Sequence, residues 1–318
     1  MRATILCTAL AFAIACKPVD RGAAGGMGSS TTSVVTPAMA PTSGATKMLA
    51  VDGFLRPESV YHDSAQDIYF VSNINGSPTA KDNNGFISRV RPDSGVENLK
   101  FVEGGKNGVT LDAPKGLTLK GDTLWVTDID AVRAFSATTG KPIASVDLRA
   151  AGAVFLNDPA IGPDGSLYVT DTGIRFDDQG KATHPGPDRI FRITGRKVTV
   201  AAQGDTLRQP NGITWDASGN RFIVVSLGGP SIYTWKLGDK DPSVIARGPG
   251  GFDGVEVARG NLLVSSWTDS TISAYQSGTE AKLITGIPGP ADIGYDAKRN
   301  RVLIPSLPQN RVEIWQLP

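Results

Sequence analysis

At five of six recurrences of one short context the sequence carries a charged or amide side chain: Glu58, Lys115, Asp158, Asn211 and Asp253, with Ala291 at the sixth. Asn157 precedes Asp158, and Asp292 follows Ala291. Carboxylates and amides together offer anionic and neutral oxygens, the donor set that a hard divalent cation such as Ca²⁺ takes. Brought to one place, these residues could hold such an ion. Asn and Asp beside Gly also cap tight strand entrances, so at any single position a turn role is the plainer explanation. Glu58 suits that role least, since Glu is a poor turn residue. Lys115 departs from the donor set. It could compete with a cation by pairing with Glu58, Asp158 or Asp253 in a metal-free cluster, grip an anionic substrate, or serve as a base if its pKa were depressed.

The elements that must position these residues repeat along the chain. Residues 209–226 state the unit: Pro210-Asn211-Gly212-Ile213 opens a short strand, Asp216 to Asn220 supplies a polar turn, and Arg221 to Ser226 is a β-branched and aromatic run. The same hairpin recurs from Pro57, Pro114, Asn157, Phe252 and Pro290, at intervals of roughly 40 to 55 residues, the length of a four-stranded propeller blade. Six copies predict an all-β, six-bladed β-propeller. Every hairpin entrance then lies at one mouth of the central channel, together with the long loops 73–86 and 172–189, and the hairpin turns face a bland opposite side. Lys47 to Val51 resembles the outermost-strand segment Lys282 to Ile284, whereas Arg311 to Trp315 is only a third strand. An N-terminal strand completing the last blade would leave no open edge between the ends, and predicts contact between residues 47–51 and 311–316.

Composition sets the class. With 37 Gly, 21 Pro and 40% hydrophobic residues in 318, the chain is turn-rich and large enough for a substantial core. Lys plus Arg at 32 against Asp plus Glu at 31 gives no electrostatic case for a nucleic-acid partner. Residues 1–15 read as an export signal, with Arg2 ahead of an apolar run that is too short to span a bilayer. Cys16 follows Ala13-Ile14-Ala15 as the acylated cysteine of a bacterial lipoprotein does, although Ala13 stands where Leu is usual. Cleavage before Cys16 removes Cys7, so no internal disulfide is available and the fold rests on its core. Residues 16–46, poor in large apolar side chains, read as a flexible tether, and residues 47–318 as the propeller. The localisation expected is periplasmic or outer-envelope, touching the membrane only through a lipid anchor, with a secreted soluble protein the alternative; in either case a monomer is expected.

The segments Pro57-Glu58-Ser59-Val60, Asn157-Asp158-Pro159, Pro210-Asn211-Gly212-Ile213 and Phe252-Asp253-Gly254-Val255, in this order and at blade spacing, resemble the entrance motifs of the senescence-marker-protein (regucalcin)/gluconolactonase/LRE-like superfamily, related to paraoxonases and diisopropyl fluorophosphatase. The resemblance covers about residues 46–318. It implies one divalent cation, foremost Ca²⁺, held by Glu58, Asn157, Asn211 and Asp253, and hydrolysis of small lactones or esters with the ion polarising the substrate oxygen. A non-catalytic propeller that binds a ligand or protein partner is the alternative from another class.

Around that set, Asp158 is a candidate nucleophile or general base and Lys115 a further catalytic candidate. Asp128, Asp171 and Asp292 are candidates to support the ligands, or are simply strand-end acids. His184, in the long third-blade loop, could reach the mouth, while His62 reads as structural. Phe155, Phe252 and Trp267 flank mouth positions and could line a pocket or only pack. No Cys/His spacing points to zinc.

Overall fold

The structure is a computed structural model describing residues 44–176 and 181–318. The expected signal peptide, Cys16 and most of the tether lie outside the described residues. Six four-stranded antiparallel sheets follow one another around a channel, confirming the six-bladed propeller. The innermost strands are Pro57–Asp63, Pro114–Lys120, Leu156–Ile161, Pro210–Asp216, Phe252–Ala258 and the short Gly294–Asp296. Beside them run Ile68–Asn73, Thr123–Asp128, Leu167–Asp171, Arg221–Ser226, Asn261–Ser266 and Arg301–Ser306. These second strands read as near-continuous apolar runs because each blade is covered on both faces by its neighbours.

The core is therefore divided among the gaps between blades. Ile68, Phe70 and Ile87 of the first blade meet Leu117, Leu124 and Val126 of the second. Tyr168 of the third packs on Phe222 and Trp235 of the fourth. Each of the other four junctions has its own apolar cluster. A smaller cluster, Ile74, Ala113, Ile129, Ala291 and Leu307, lies where blades six, one and two converge at the mouth. Ala291 thus packs where other blades present a polar side chain.

The ring closes as expected. Thr46–Asp52 pairs antiparallel with Arg311–Gln316 as the outermost strand of the sixth blade, from Thr46 opposite Gln316 to Asp52 opposite Arg311. The inner strands close it too: Asp292 N–H donates to Glu58 O at 2.8 Å and Val60 N–H to Asp292 O at 3.3 Å. Two features differ from the sequence reading. The sixth entrance, residues 290–293, is tied down by isolated bridges, and its strand starts only at Gly294. The long third-blade loop carries a small ribbon, Arg175–Phe176 against Ala182–Thr183, too short to leave a periodic signal.

Candidate functional site

Each of the first five inner strands begins with a one-residue bulge. Pairing with the second strand slips between Pro57 and Val60, Pro114 and Leu117, Leu156 and Pro159, Pro210 and Ile213, and Phe252 and Val255. The candidate residues sit inside these slips. A bulge breaks the in-out alternation of a strand and re-aims its side chains, so Glu58 and Ser59, or Asn157 and Asp158, are buried side by side. The backbone N–H released from the ladder needs another partner. Second-strand hydroxyls provide it: Ser72 Oγ accepts Ser59 N–H at 2.9 Å, Thr170 Oγ1 accepts Asp158 N–H at 3.0 Å, and Ser265 Oγ accepts Gly254 N–H at 2.8 Å. Thr170 and Ser265 then donate to the next blade, to Asn211 O and Ala291 O. Thr127 donates likewise to Asn157 O. Three pairs of neighbouring entrances, second to third, third to fourth and fifth to sixth, are thus linked through a second-strand hydroxyl.

At four entrances this framework leaves one oxygen without a hydrogen bond. Glu58 Oε2, Asn157 Oδ1, Asn211 Oδ1 and Asp253 Oδ1 are all buried and unpartnered. The opposite ends of three of these side chains are held. Asn157 Nδ2 donates to Thr172 Oγ1 at 3.2 Å, and that hydroxyl gives its own proton to Pro210 O. It must therefore accept from Asn157, which fixes the amide with its oxygen free. Asn211 Nδ2 faces the carbonyl of Phe252 at 3.4 Å. Asp253 Oδ2 accepts the indole N–H of Trp267 at 2.7 Å. Buried oxygens without partners are costly, and a native structure retains them where something else supplies the missing charge. Two carboxylates and two amide oxygens suit a hard cation. Among the described residues no three His, Cys, Asp or Glu side chains are placed to share an ion; half of the present donors are amides.

The electrostatics agree. Burial, then the charges of Asp253 and Asp292, push the Glu58 carboxyl well above the ordinary range, against the pull of Lys115. Asp253 is raised to about 8 by burial and Asp292, opposed by the Trp267 hydrogen bond. Without a counter-charge, this mouth favours protonated carboxyls.

The sequence comparison agrees with the geometry. The model of the SMP-30/gluconolactonase/LRE-like region matches residues 57–293, spanning the five bulged entrances and the sixth. The chain belongs to this family. Solved structures are similar in fold at low identity. A gluconolactonase from Xanthomonas campestris is 19% identical with a TM-score of 0.63, over 86% of this chain and 89% of that one. A regucalcin from Agrobacterium tumefaciens, described as a calcium-binding protein, is 15% identical with a TM-score of 0.60, over 84% and 90%. A luciferin-regenerating enzyme is 13% identical with a TM-score of 0.62, over 84% and 94%. No curated protein sequence matches the chain.

The remaining candidates of this family member separate by what they touch. Lys115 is fully buried, but it makes no ion pair with Glu58, Asp158 or Asp253. Glu58 still acts on the ammonium through space. Lys115 Nζ donates to Pro78 O at 3.2 Å and Ala113 O at 3.3 Å, and lies 4.2 Å from the centre of the Phe155 ring. Burial lowers its pKa, with Glu58 opposing. Asp128 accepts the N–H groups of Asp112 and Ala113 as well as Arg133 Nε–H, and Asp171 accepts those of Val154, Phe155 and Gly173. Both brace the segment before their own blade's entrance, as Asn73 does for Leu55. Phe252 is core, and only its carbonyl serves the site. His184 pairs with buried Asp188 at 2.6 Å, a partner the sequence reading missed although it lies four residues on. His62 packs edge-on against Tyr69 and bridges toward Asp67 and Asp296.

Asp158 and Asp292 face the other half of the channel. Together with Glu256, Tyr61, Thr214 and Trp215 they line a cavity of ≈ 290 Å³ that none of the four orphan oxygens borders. The side expected to be bland thus has its own polar hollow. Asp158 Oδ2 accepts Ile213 N–H at 2.8 Å, and Ser59 Oγ–H donates to Asp292. Burial, with Asp292 adding, holds Asp158 well above the usual carboxylate range and Glu256 near 8, and burial alone raises Asp292 to about 7.

Proposed function

We propose that this family member is a hydrolase of small lactones or esters that depends on a divalent cation, foremost Ca²⁺, held by Glu58, Asn157, Asn211 and Asp253. The observation that carries this reading is that these four side chains, from four different blades, each keep one buried oxygen without a partner. When bound, the ion would supply Lewis-acid polarisation of the scissile carbonyl. The chain's own groups do the rest. Thr172 and Phe252 O hold the two amides with their oxygens turned away from them. Glu58 and Asp253 provide the negative charge. Asp158, fixed through Ile213 N–H and Thr170, faces the opposite half of the channel and takes no part in the chemistry at the four oxygens. Water adds to the carbonyl carbon, the acyl C–O bond breaks, and the water proton ends on the leaving alkoxide. By name, one relative, a gluconolactonase, supports lactone chemistry, and another, a calcium-binding regucalcin, supports the ion. Lys115 acts as a strut between Pro78 and Ala113. The leader and Cys16 support export with a lipid anchor, which the mass of the mature N-terminus tests.

The deciding experiment combines metal analysis of the purified protein with lactone and aryl-ester hydrolysis, with and without chelator. Asp253→Ala should lose both ion and activity. Turnover that survives chelation and Asp253→Ala would sink the reading.

A further inference from the structure

The mouth also carries information about what is attached to the reacting carbonyl. Polar side chains at the mouth ends of the second strands are engaged within the protein. Asn73 is held by Leu55 N–H, Val71 O and Ser88, Ser266 Oγ donates to Gly250 O at 2.8 Å, and Ser306 Oγ donates to Pro288 O at 2.6 Å. Asp128 and Asp171 are bound to backbone N–H groups, as described above. A polyhydroxylated substrate would find few free partners there, and a site that cannot answer buried hydroxyls discriminates against them.

Two aromatic side chains stand exposed at the rim. Trp267 is 40% exposed although its N–H is anchored on Asp253, so the indole face stands open beside a proposed ligand. Phe176 is 39% exposed, its ring 6.2 Å from that of Phe155, which in turn lies against Lys115 at the second entrance. Two aromatic surfaces therefore border the mouth, one on the fifth blade and one on the third. Exposed aromatic area next to a polar centre marks a ligand-binding rim.

We propose that the substrate is a lactone or ester with an apolar body, alkyl or aryl, which rests on Trp267 and the Phe155–Phe176 pair while its carbonyl meets the four-oxygen site. This rests on the hydrolase reading above and narrows it away from sugar lactones.

The test measures kcat/KM with Ca²⁺ for δ-valerolactone, δ-nonalactone, δ-undecalactone and glucono-δ-lactone. Specificity should rise roughly threefold to fourfold per methylene while the chain still gains contact, and should exceed that for gluconolactone. The ratio of long-chain to short-chain kcat/KM should fall in Trp267→Ala and in Phe176→Ala, the second being an exposed position that the fold tolerates. A flat series, or glucono-δ-lactone as the better substrate, would overturn the inference. A long-chain lactam, followed by tryptophan fluorescence, keeps the two readings apart. Saturable quenching that Trp267→Phe abolishes, without turnover of any lactone, would keep the apolar rim and sink the hydrolase. No lactam binding would overturn the rim.

Discussion

Trp267 Nε1 donates to Asp253 Oδ2 across 2.7 Å, and the other oxygen of the same carboxylate is buried without a partner. The indole thus selects which oxygen of Asp253 remains available. The two residues are joined through the turn after the second strand, where Trp267 N–H also bonds Gly251 O at 2.9 Å. Partners that orient a ligand by hydrogen bonding are worth about ten- to a hundredfold in metal affinity. Trp267→Phe keeps an aromatic ring and removes the donor. It should weaken Ca²⁺ about tenfold by titration calorimetry, with unfolding little changed. Wild-type affinity in that variant would show that Asp253 is oriented by something else.

The hydroxyl bolts give a second prediction, about stability. Thr170 accepts from the bulge N–H of Asp158 and donates to Asn211 O in the next blade, all of it buried. Thr170→Val conserves shape and leaves both partners unpaired, a loss of about 2 to 4 kcal/mol at typical costs for buried groups. Chemical denaturation would register it as a lower midpoint with the slope unchanged. The fourth blade has Val225 at the equivalent position and no hydroxyl link there.

How far the sequence carried the structure follows from the scale of each signal. Entrance, polar turn and apolar run recur at blade spacing, so the six blades and the closing strand were legible; the four buried oxygens without partners fall at positions that the family resemblance singled out. The bulges were not, because a register slip changes backbone pairing without changing residue pattern. The hydroxyl next to the end of the second strand, in Ser72-Asn73, Thr127-Asp128 and Thr170-Asp171, was a readable signal for them. Lys115 suggested ion pairs because sequence displays charges and conceals carbonyls; its partners are Pro78 O and Ala113 O. The hollow beneath the mouth escaped notice because Tyr61, Thr118, Thr214 and Glu256 are unremarkable mid-strand residues until six strands set them around one axis.

The raised carboxyls give the pH dependence its sign. Asp253 and Glu256 stand at about 8 and Asp292 at about 7, against unfolded values near 4. Between those limits the folded chain binds more protons than the unfolded one, so stability falls as pH rises from about 4 to about 8. The cation-free protein should melt lower at pH 8 than at pH 5.5. Ca²⁺ competes with protons for the carboxylates of Glu58 and Asp253, both raised by burial, so its stabilising shift should be larger at pH 8. Scanning calorimetry with chelator and with Ca²⁺ at both values measures this. A cation-free melting temperature that rises from pH 5.5 to 8 would remove the electrostatic basis of the site.

Blade closure supplies the last prediction. Thr46–Asp52 covers the outer edge of Arg311–Gln316, buries Val51 among Tyr69, Leu303 and Ile314, and pairs Lys47 with Glu313 at 2.8 Å. Lys47 also lies 5.1 Å from the centre of the Trp315 ring. Removing residues up to Val51 takes away a whole strand of ladder hydrogen bonds and leaves an open edge that invites pairing with another chain. The loss reaches the mouth, because the sixth blade is joined to Glu58 through Asp292 N–H. The truncated protein should melt on the order of 10 °C lower, given a few degrees for each kcal/mol in a domain of this size, and should self-associate on sizing columns. Deletion of residues 17–43 alone should do neither. Equal melting of both truncations would mean that the outer strand does not close the ring in solution.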